Sequence, residues 1–87
     1  MAFDVGRAYE KHPNVAIRRE EFGGLAYHYG NRRLVFLKAP ALVELVETLA
    51  EFASARDALT ARVPSGSIKS YEFALAGLLT SEVIRAR

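Results

Sequence analysis

There is no cysteine anywhere in this 87-residue chain, so neither a disulfide framework nor a thiolate metal site can staple the fold. Glutamine is absent too, and the two asparagines stand at Asn14 and Asn31, which thins the set of side chains that read DNA base edges. His12 and His28 lie too far apart for their spacing to signal metal ligation. No apolar run approaches membrane-spanning length, and the opening Met-Ala-Phe-Asp-Val-Gly-Arg lacks the apolar stretch of a signal peptide. Cytoplasmic residence is the expectation. With no repeat, linker or low-complexity tract, residues 1–87 are expected to form one domain with a small core.

What remains is a globular balance, with 51% apolar and 25% charged residues and a net charge of +2. The charge is unevenly placed. Residues 1–38 carry seven basic and four acidic groups, whereas 39–87 carry five and six. A basic amino-terminal half suits an acidic partner.

Strand signals come first. Residues 1–13 mix charge with isolated Phe3, Val5 and Tyr9 and end at His12-Pro13, which reads as a loosely packed arm or short helical turn. Asn14-Val-Ala-Ile-Arg18 alternates, with Val15 and Ile17 inward, and Phe22-Gly23-Gly24 supplies the turn out of it. Leu25 to Lys38 reads as a hairpin about a two-residue Gly30-Asn31 turn of the primed type. This register sets Tyr27 opposite Leu34 and Leu25 opposite Phe36. Directly opposed residues share a face, so Leu25, Tyr27, Leu34 and Phe36 are expected on the core side. Ala26, His28, Arg33, Val35 and Leu37 fall on the other. The strand Arg33-Leu-Val-Phe-Leu-Lys38 is therefore apolar on both faces, and a strand in a small half-open sheet ordinarily has one wet face. Val35 and Leu37 either meet a partner or lie under the amino-terminal segment.

Helical signals follow. Pro40 suits a first helical turn, after which Leu42, Leu45, Val46, Leu49 and Ala53 recur at helical spacing with Glu44, Glu47 and Glu51 outside. Ser54-Ala-Arg-Asp57 resembles a capping box and opens a short second helix carrying Ala58 and Leu59, which stops before Pro64-Ser-Gly66. A third helix begins near Ser67, with Ile68, Tyr71, Leu75, Leu78 and Leu79 on one stripe and Phe73 nearly opposite. The tail Glu82 to Arg87 docks through Val83 and Ile84 before fraying. The order βββααα makes the class α+β, compatible with a winged-helix-like unit among other small folds.

No catalytic constellation emerges. Glu20 and Glu21 are neighbours that face apart on extended chain, and His28 has no nucleophile fixed beside it, so cross-strand packing next to Arg33 is its expected role. Gly23-Gly24 lacks the Lys-Ser/Thr of a phosphate loop. A DNA-binding winged helix is the alternative function, but its third helix would enter the groove with Lys69, Ser70, Glu72 and Phe73 followed by a run of Ala, Leu and Gly. The basic residues gather instead on the strand half, at Arg18, Arg19, Arg32, Arg33 and Lys38. A module that only dimerises is a third possibility.

His12-Pro-Asn-Val-Ala-Ile-Arg18, Phe22-Gly-Gly-Leu-Ala-Tyr-His-Tyr-Gly30 and Leu34-Val-Phe-Leu-Lys38 together resemble the mycofactocin precursor-peptide chaperones. These belong to the wider group related to the pyrroloquinoline-quinone peptide chaperone, the recognition elements of ribosomally made, modified peptides. The likeness covers the strand half closely and weakens through the helices to Leu79. It implies a winged-helix-like three-strand, three-helix domain without catalytic activity or cofactor. Such a domain binds a precursor-peptide leader and delivers it to a radical S-adenosylmethionine enzyme. That enzyme, which decarboxylates and cross-links a Val-Tyr terminus, would hold the iron–sulfur cluster, because this chain has no thiolate for one. In the family the leader adds as a strand beside the third strand, in a groove walled by the third helix. Carried onto this sequence, the implied peptide-binding residues are Arg33, Leu34, Val35, Phe36, Leu37 and Lys38, with Ile68, Tyr71, Leu75 and Leu78 as the wall. Arg32, Arg33 and Lys38 would blunt the open edge and attract acidic leader residues. Phe73 is either an incidental surface aromatic or part of the enzyme contact.

Overall fold

The structure, a computed structural model, describes residues 2–87. Five strands and three helices follow one another as β1 (Tyr9–Lys11), β2 (Val15–Glu20), β3 (Gly23–His28), β4 (Leu34–Leu37), α1 (Pro40–Thr48), α2 (Ala55–Arg62), α3 (Ile68–Thr80) and β5 (Ile84–Ala86). Strands β2, β3 and β4 form an antiparallel meander in that spatial order, and β1 pairs with β5 in a separate two-stranded sheet. The α+β class is as the pattern predicts, a three-stranded sheet followed by three helices, with the terminal sheet added to it.

Register within the meander matches the sequence reading. Leu25 faces Phe36, Ala26 faces Val35 and Tyr27 faces Leu34. The turns differ. Gly23 and Gly24 begin β3 rather than forming the turn, which narrows to Glu21-Phe22 between the paired Glu20 and Gly23. The β3–β4 connection is a five-residue loop, Tyr29 to Arg33. His28 N–H donates to the Arg33 carbonyl at 3.0 Å and Arg32 N–H donates to the His28 carbonyl at 2.8 Å. Positive φ falls on Arg32, at 60°, not on Gly30 or Asn31. The His28 side chain explains this: its Nδ1 accepts from Gly30 N–H at 2.9 Å and Asn31 N–H at 3.2 Å. Asn31 Oδ1 accepts from Arg33 N–H at 2.9 Å. Side-chain acceptors, not a primed turn, close the loop.

The larger correction concerns the faces. Ala26, Leu37 and His28 are buried, whereas Leu34 and Phe36 are 56% and 58% exposed. The helices therefore cover the face carrying Val15, Ile17, Ala26, His28, Val35 and Leu37. The face carrying Leu25, Tyr27, Leu34 and Phe36 is turned to solvent. Small residues decide it. Gly24 lies so close under α1 that an added Cβ would stand 2.8 Å from Val43 Cγ2, and Ala26 is its small neighbour on the same face. A helix settles against the side of a sheet that lets it approach closely, and bulky aromatics are left on the other.

Helix α1 starts with Pro40 in its first turn and buries Leu42, Val43, Leu45 and Val46. It ends at Thr48, a 3-10 turn over Leu49–Glu51 follows, and Ala53 consequently leaves the buried stripe. Ser54 caps α2, its Oγ accepting from Asp57 N–H at 3.2 Å, and the helix buries Ala55, Ala58 and Leu59. In α3, Leu75 and Leu78 are buried. Glu82, with φ of 64°, then turns the chain back so that Val83 and Ile84 enter the core.

The segment expected as a loose arm is tied down. Tyr9 is fully buried, Phe3 stacks on it at 5.0 Å, and its Oη accepts from Asp4 N–H at 2.8 Å. Ala55 and Arg56 donate their N–H groups to the Arg7 and Val5 carbonyls. The tail does not fray: β5 pairs Tyr9 with Ala86 and Lys11 with Ile84, and Arg85 meets Glu10 at 2.7 Å.

Candidate functional site

Among the described residues, strand β4 has β3 on one side and no strand on the other. Its ladder starts with Tyr27 opposite Leu34, just inside the bond from His28 N–H to the Arg33 carbonyl, and antiparallel pairs alternate between bonded and non-bonded. Val35 and Leu37 thus exchange main-chain bonds with β3, while Leu34 and Phe36 direct their N–H and C=O groups outward. Such a row of backbone donors and acceptors is a template for another strand.

Beside this edge runs a groove between β4 and α3. Its larger part, about 430 Å³, is lined by Val35, Phe36, Lys38, Leu42, Ala74, Gly77, Leu78 and Ser81. A narrower continuation of about 180 Å³ is lined by Lys38, Ala39, Leu42, Ser70, Tyr71 and Ala74. The lining is mostly apolar, and the one charge in it is Lys38. Arg18, Arg19, Arg62 and Arg85 are each committed to a glutamate, Glu20, Glu47, Glu44 with Glu51, and Glu10 respectively. Among the described residues, Arg32, Arg33 and Lys38 form no ion pair. Arg33 and Lys38 thus stand without an ion pair at the two ends of β4, while Lys11, Arg56, Lys69 and Arg87, also outside the ion pairs, lie elsewhere on the fold.

Of the ten residues that the resemblance implies, Val35, Phe36, Lys38, Tyr71 and Leu78 line this groove. Leu37 and Leu75 are wholly buried beneath it and form its support rather than its surface. Leu34 projects from the solvent face, Arg33 is exposed at the start of the strand, and Ile68 packs half-buried against the core outside the lining. The groove also draws in Leu42, Ala74, Gly77 and Ser81. Leu42 was legible as a helix-stripe residue. Nothing in the pattern marks Ala74, Gly77 and Ser81, because small residues carry no periodic signal.

The solvent face of the sheet is a second apolar surface. Phe22 contacts Phe36 edge-on at 5.9 Å and Tyr27 meets Tyr29 at 5.4 Å. A depression of about 500 Å³ there is lined by Arg18, Glu20, Phe22, Leu25, Phe36 and Lys38. At the loop end of the sheet the rings of His12 and His28 approach to 4.5 Å. Partial burial, followed by the charge of His28 and then of Arg85, holds His12 below the ordinary imidazole range against the opposing pull of Glu82 and Glu10. The His28 Nε2 is buried without a partner. No group of three or more His, Asp or Glu residues able to hold a metal occurs among the described residues, and no described helix is long and apolar enough to cross a membrane.

Comparison with known families matches residues 8–85 to the model of the peptide chaperone MftB family. The chain belongs to that family. Among curated relatives, the peptide chaperone MftB of Mycolicibacterium smegmatis is 40% identical over 97% of this chain and 83% of its own length. The peptide chaperone MftB proteins of Mycobacterium tuberculosis and Mycobacterium ulcerans are 46% and 43% identical over 64% and 69% of this chain. The matched stretch spans about half of each of those two relatives, 51% and 55%. No solved structure gives a significant match. Family membership spans both halves of the fold, including α3 and most of β5, so the groove lies wholly within the matched region.

Proposed function

We propose that this chain is a non-catalytic, cytoplasmic peptide chaperone of mycofactocin biosynthesis that holds the leader of a precursor peptide as a strand added to β4. It presents the bound peptide to a radical S-adenosylmethionine enzyme. The observation that carries the reading is the free β4 edge facing an apolar groove against α3, with Arg33 and Lys38 outside any ion pair at its two ends. Its membership in a family of peptide chaperones agrees with this.

Strand addition divides the work between backbone and side chains. The outward N–H and C=O groups of Leu34 and Phe36 supply main-chain hydrogen bonds, which bind any extended chain. Selection comes from the side chains that alternate toward α3 and meet Val35, Leu42, Tyr71, Ala74 and Leu78. Arg33 and Lys38 favour acidic residues in the leader and oppose edge-to-edge pairing of two copies by like-charge repulsion. The iron–sulfur cluster and S-adenosylmethionine belong to the enzyme partner.

Titration of isotopically labelled chain with its precursor peptide, followed by NMR, tests the reading. Shifts are expected to concentrate at residues 33–38 and along α3, at Tyr71, Ala74, Gly77 and Leu78. Absence of any shift with the cognate peptide at high micromolar concentration overturns it.

A further inference from the structure

Gly77 sits in the last third of α3, well inside a helix that runs from Ile68 to Thr80. Glycine there weakens a helix, since it loses more backbone freedom on folding than any other residue. A protein usually keeps an interior helical glycine for one of two reasons, and neither applies. The backbone does not need it, because the one glycine with positive φ is Gly23. Packing does not need it either: a Cβ on Gly77 would meet no atom within 4 Å. The contrast with Gly24, where the same atom would stand 2.8 Å from Val43 Cγ2, is complete.

Gly77 is among the residues that line the 430 Å³ groove, and a Cβ there would stand in open space. The walls of the groove are Val35 and Phe36 from β4, Leu42 from α1, and Ala74 and Leu78 from α3. A strand added to β4 lies about 4.8 Å from it and turns every second side chain toward the helices. One such side chain comes down between β4 and α3, opposite Gly77. The walls are apolar apart from Lys38 and Ser81, whose hydroxyl already donates to the Leu78 carbonyl at 3.3 Å, so they accept a bulky hydrocarbon and disfavour a buried polar group.

We propose that Gly77 is a specificity-determining residue, which keeps open a pocket for one large apolar side chain, aliphatic or aromatic, of the captured strand. This deepens the peptide-chaperone reading and rests on it. The helix gives up stability at Gly77 and recovers it as affinity once the pocket is filled.

The test compares wild type, Gly77→Ala and Gly77→Leu by thermal unfolding and by calorimetric titration with the synthetic precursor peptide and its single-alanine variants. Gly77→Ala is expected to melt a few degrees higher than wild type. Gly77→Leu is expected to fold and to bind the peptide roughly tenfold or more weakly, because its side chain occupies the pocket. One peptide variant, with a bulky apolar residue cut to alanine, should lose roughly tenfold against wild type and less than about threefold against Gly77→Leu, the non-additivity that marks direct contact. Equal peptide binding by wild type and Gly77→Leu overturns the inference while leaving the function standing, and so does additivity across all variants. A Gly77→Leu chain that fails to fold overturns it too, since the space would not be free. If wild type binds no precursor peptide, the peptide-chaperone reading itself fails and takes the inference with it.

Discussion

His12 and His28 hold their imidazoles 4.5 Å apart at a 45° tilt, and each ring turns its Nδ1 onto the backbone two residues ahead. His12 Nδ1 accepts from Asn14 N–H at 3.0 Å, as His28 Nδ1 does from Gly30 N–H at 2.9 Å. A ring nitrogen that accepts carries no proton, so each of these bonds requires an unprotonated Nδ1. Tyr29 N–H donates to the Asn14 carbonyl at 2.8 Å and joins the two loops.

Truncation of His28 removes one ring that satisfies two backbone donors. His28→Ala is expected to cost about 2–3 kcal/mol in urea unfolding, because the Gly30 and Asn31 N–H groups lose their acceptor and a buried ring is lost. Chemical-shift changes in the variant should be centred on the β3–β4 loop.

Acid should weaken the fold through His12. Its folded-state pKa lies below the unfolded value of 6.5, so the unfolded chain takes up the proton first. The stability that neutral His12 contributes is complete above about pH 6.5 and is lost as pH falls through its lowered folded value. Melting temperature measured between pH 7.5 and 5 should fall on the acid side, and His12→Asn should flatten that fall. A melting curve that rises on acidification would reverse the sign.

Opposite faces of β4 should respond oppositely to polar substitution. Phe36→Ser removes a ring that is 58% exposed and should change stability by less than about 1 kcal/mol. Leu37→Ser, at a fully buried position on the other face of the same strand, should cost about 2–5 kcal/mol. Thermal or urea unfolding of the two variants side by side distinguishes this orientation from its reverse.

Blocking the edge donor should separate binding from folding. Phe36→Pro removes an N–H that β3 does not use. Precursor-peptide affinity should drop roughly tenfold or more, with β3–β4 amide protection retained in hydrogen exchange. Affinity unchanged in this variant would place the peptide elsewhere.

How much of this was legible in the sequence depends on what kind of signal each residue carries. The β3–β4 register follows from the positions of Leu25, Tyr27, Leu34 and Phe36 about Gly30-Asn31. Helix α2 is announced by the Ser54–Asp57 cap, and α1 by Pro40 and the leucine spacing. The buried face of the sheet was misread because bulk was equated with burial. The deciding residues are small ones, Gly24 and Ala26, whose role depends on how near α1 must come. In the candidate site, the strand and the α3 stripe flank the groove. Leu37 and Leu75 go under the groove, though, and Gly77 comes into it, because a groove is defined by missing atoms. The pairing of Tyr9–Lys11 with Ile84–Ala86 was invisible, since three-residue strands leave too short a pattern and their partner lies at the far end of the chain.

That terminal pairing has a kinetic consequence. Arg85 and Glu10 are separated by 75 residues, so closing β1 onto β5 encloses nearly the whole polypeptide. Loop-closure entropy grows with the enclosed length, and contacts this distant in sequence form late when nearer ones are available. The meander and α1, whose contacts are local, can assemble first and provide the surface on which Tyr9, Val83 and Ile84 come to rest. Loop-closure entropy therefore places the clasp late in folding, after the sheet that carries the β4 edge.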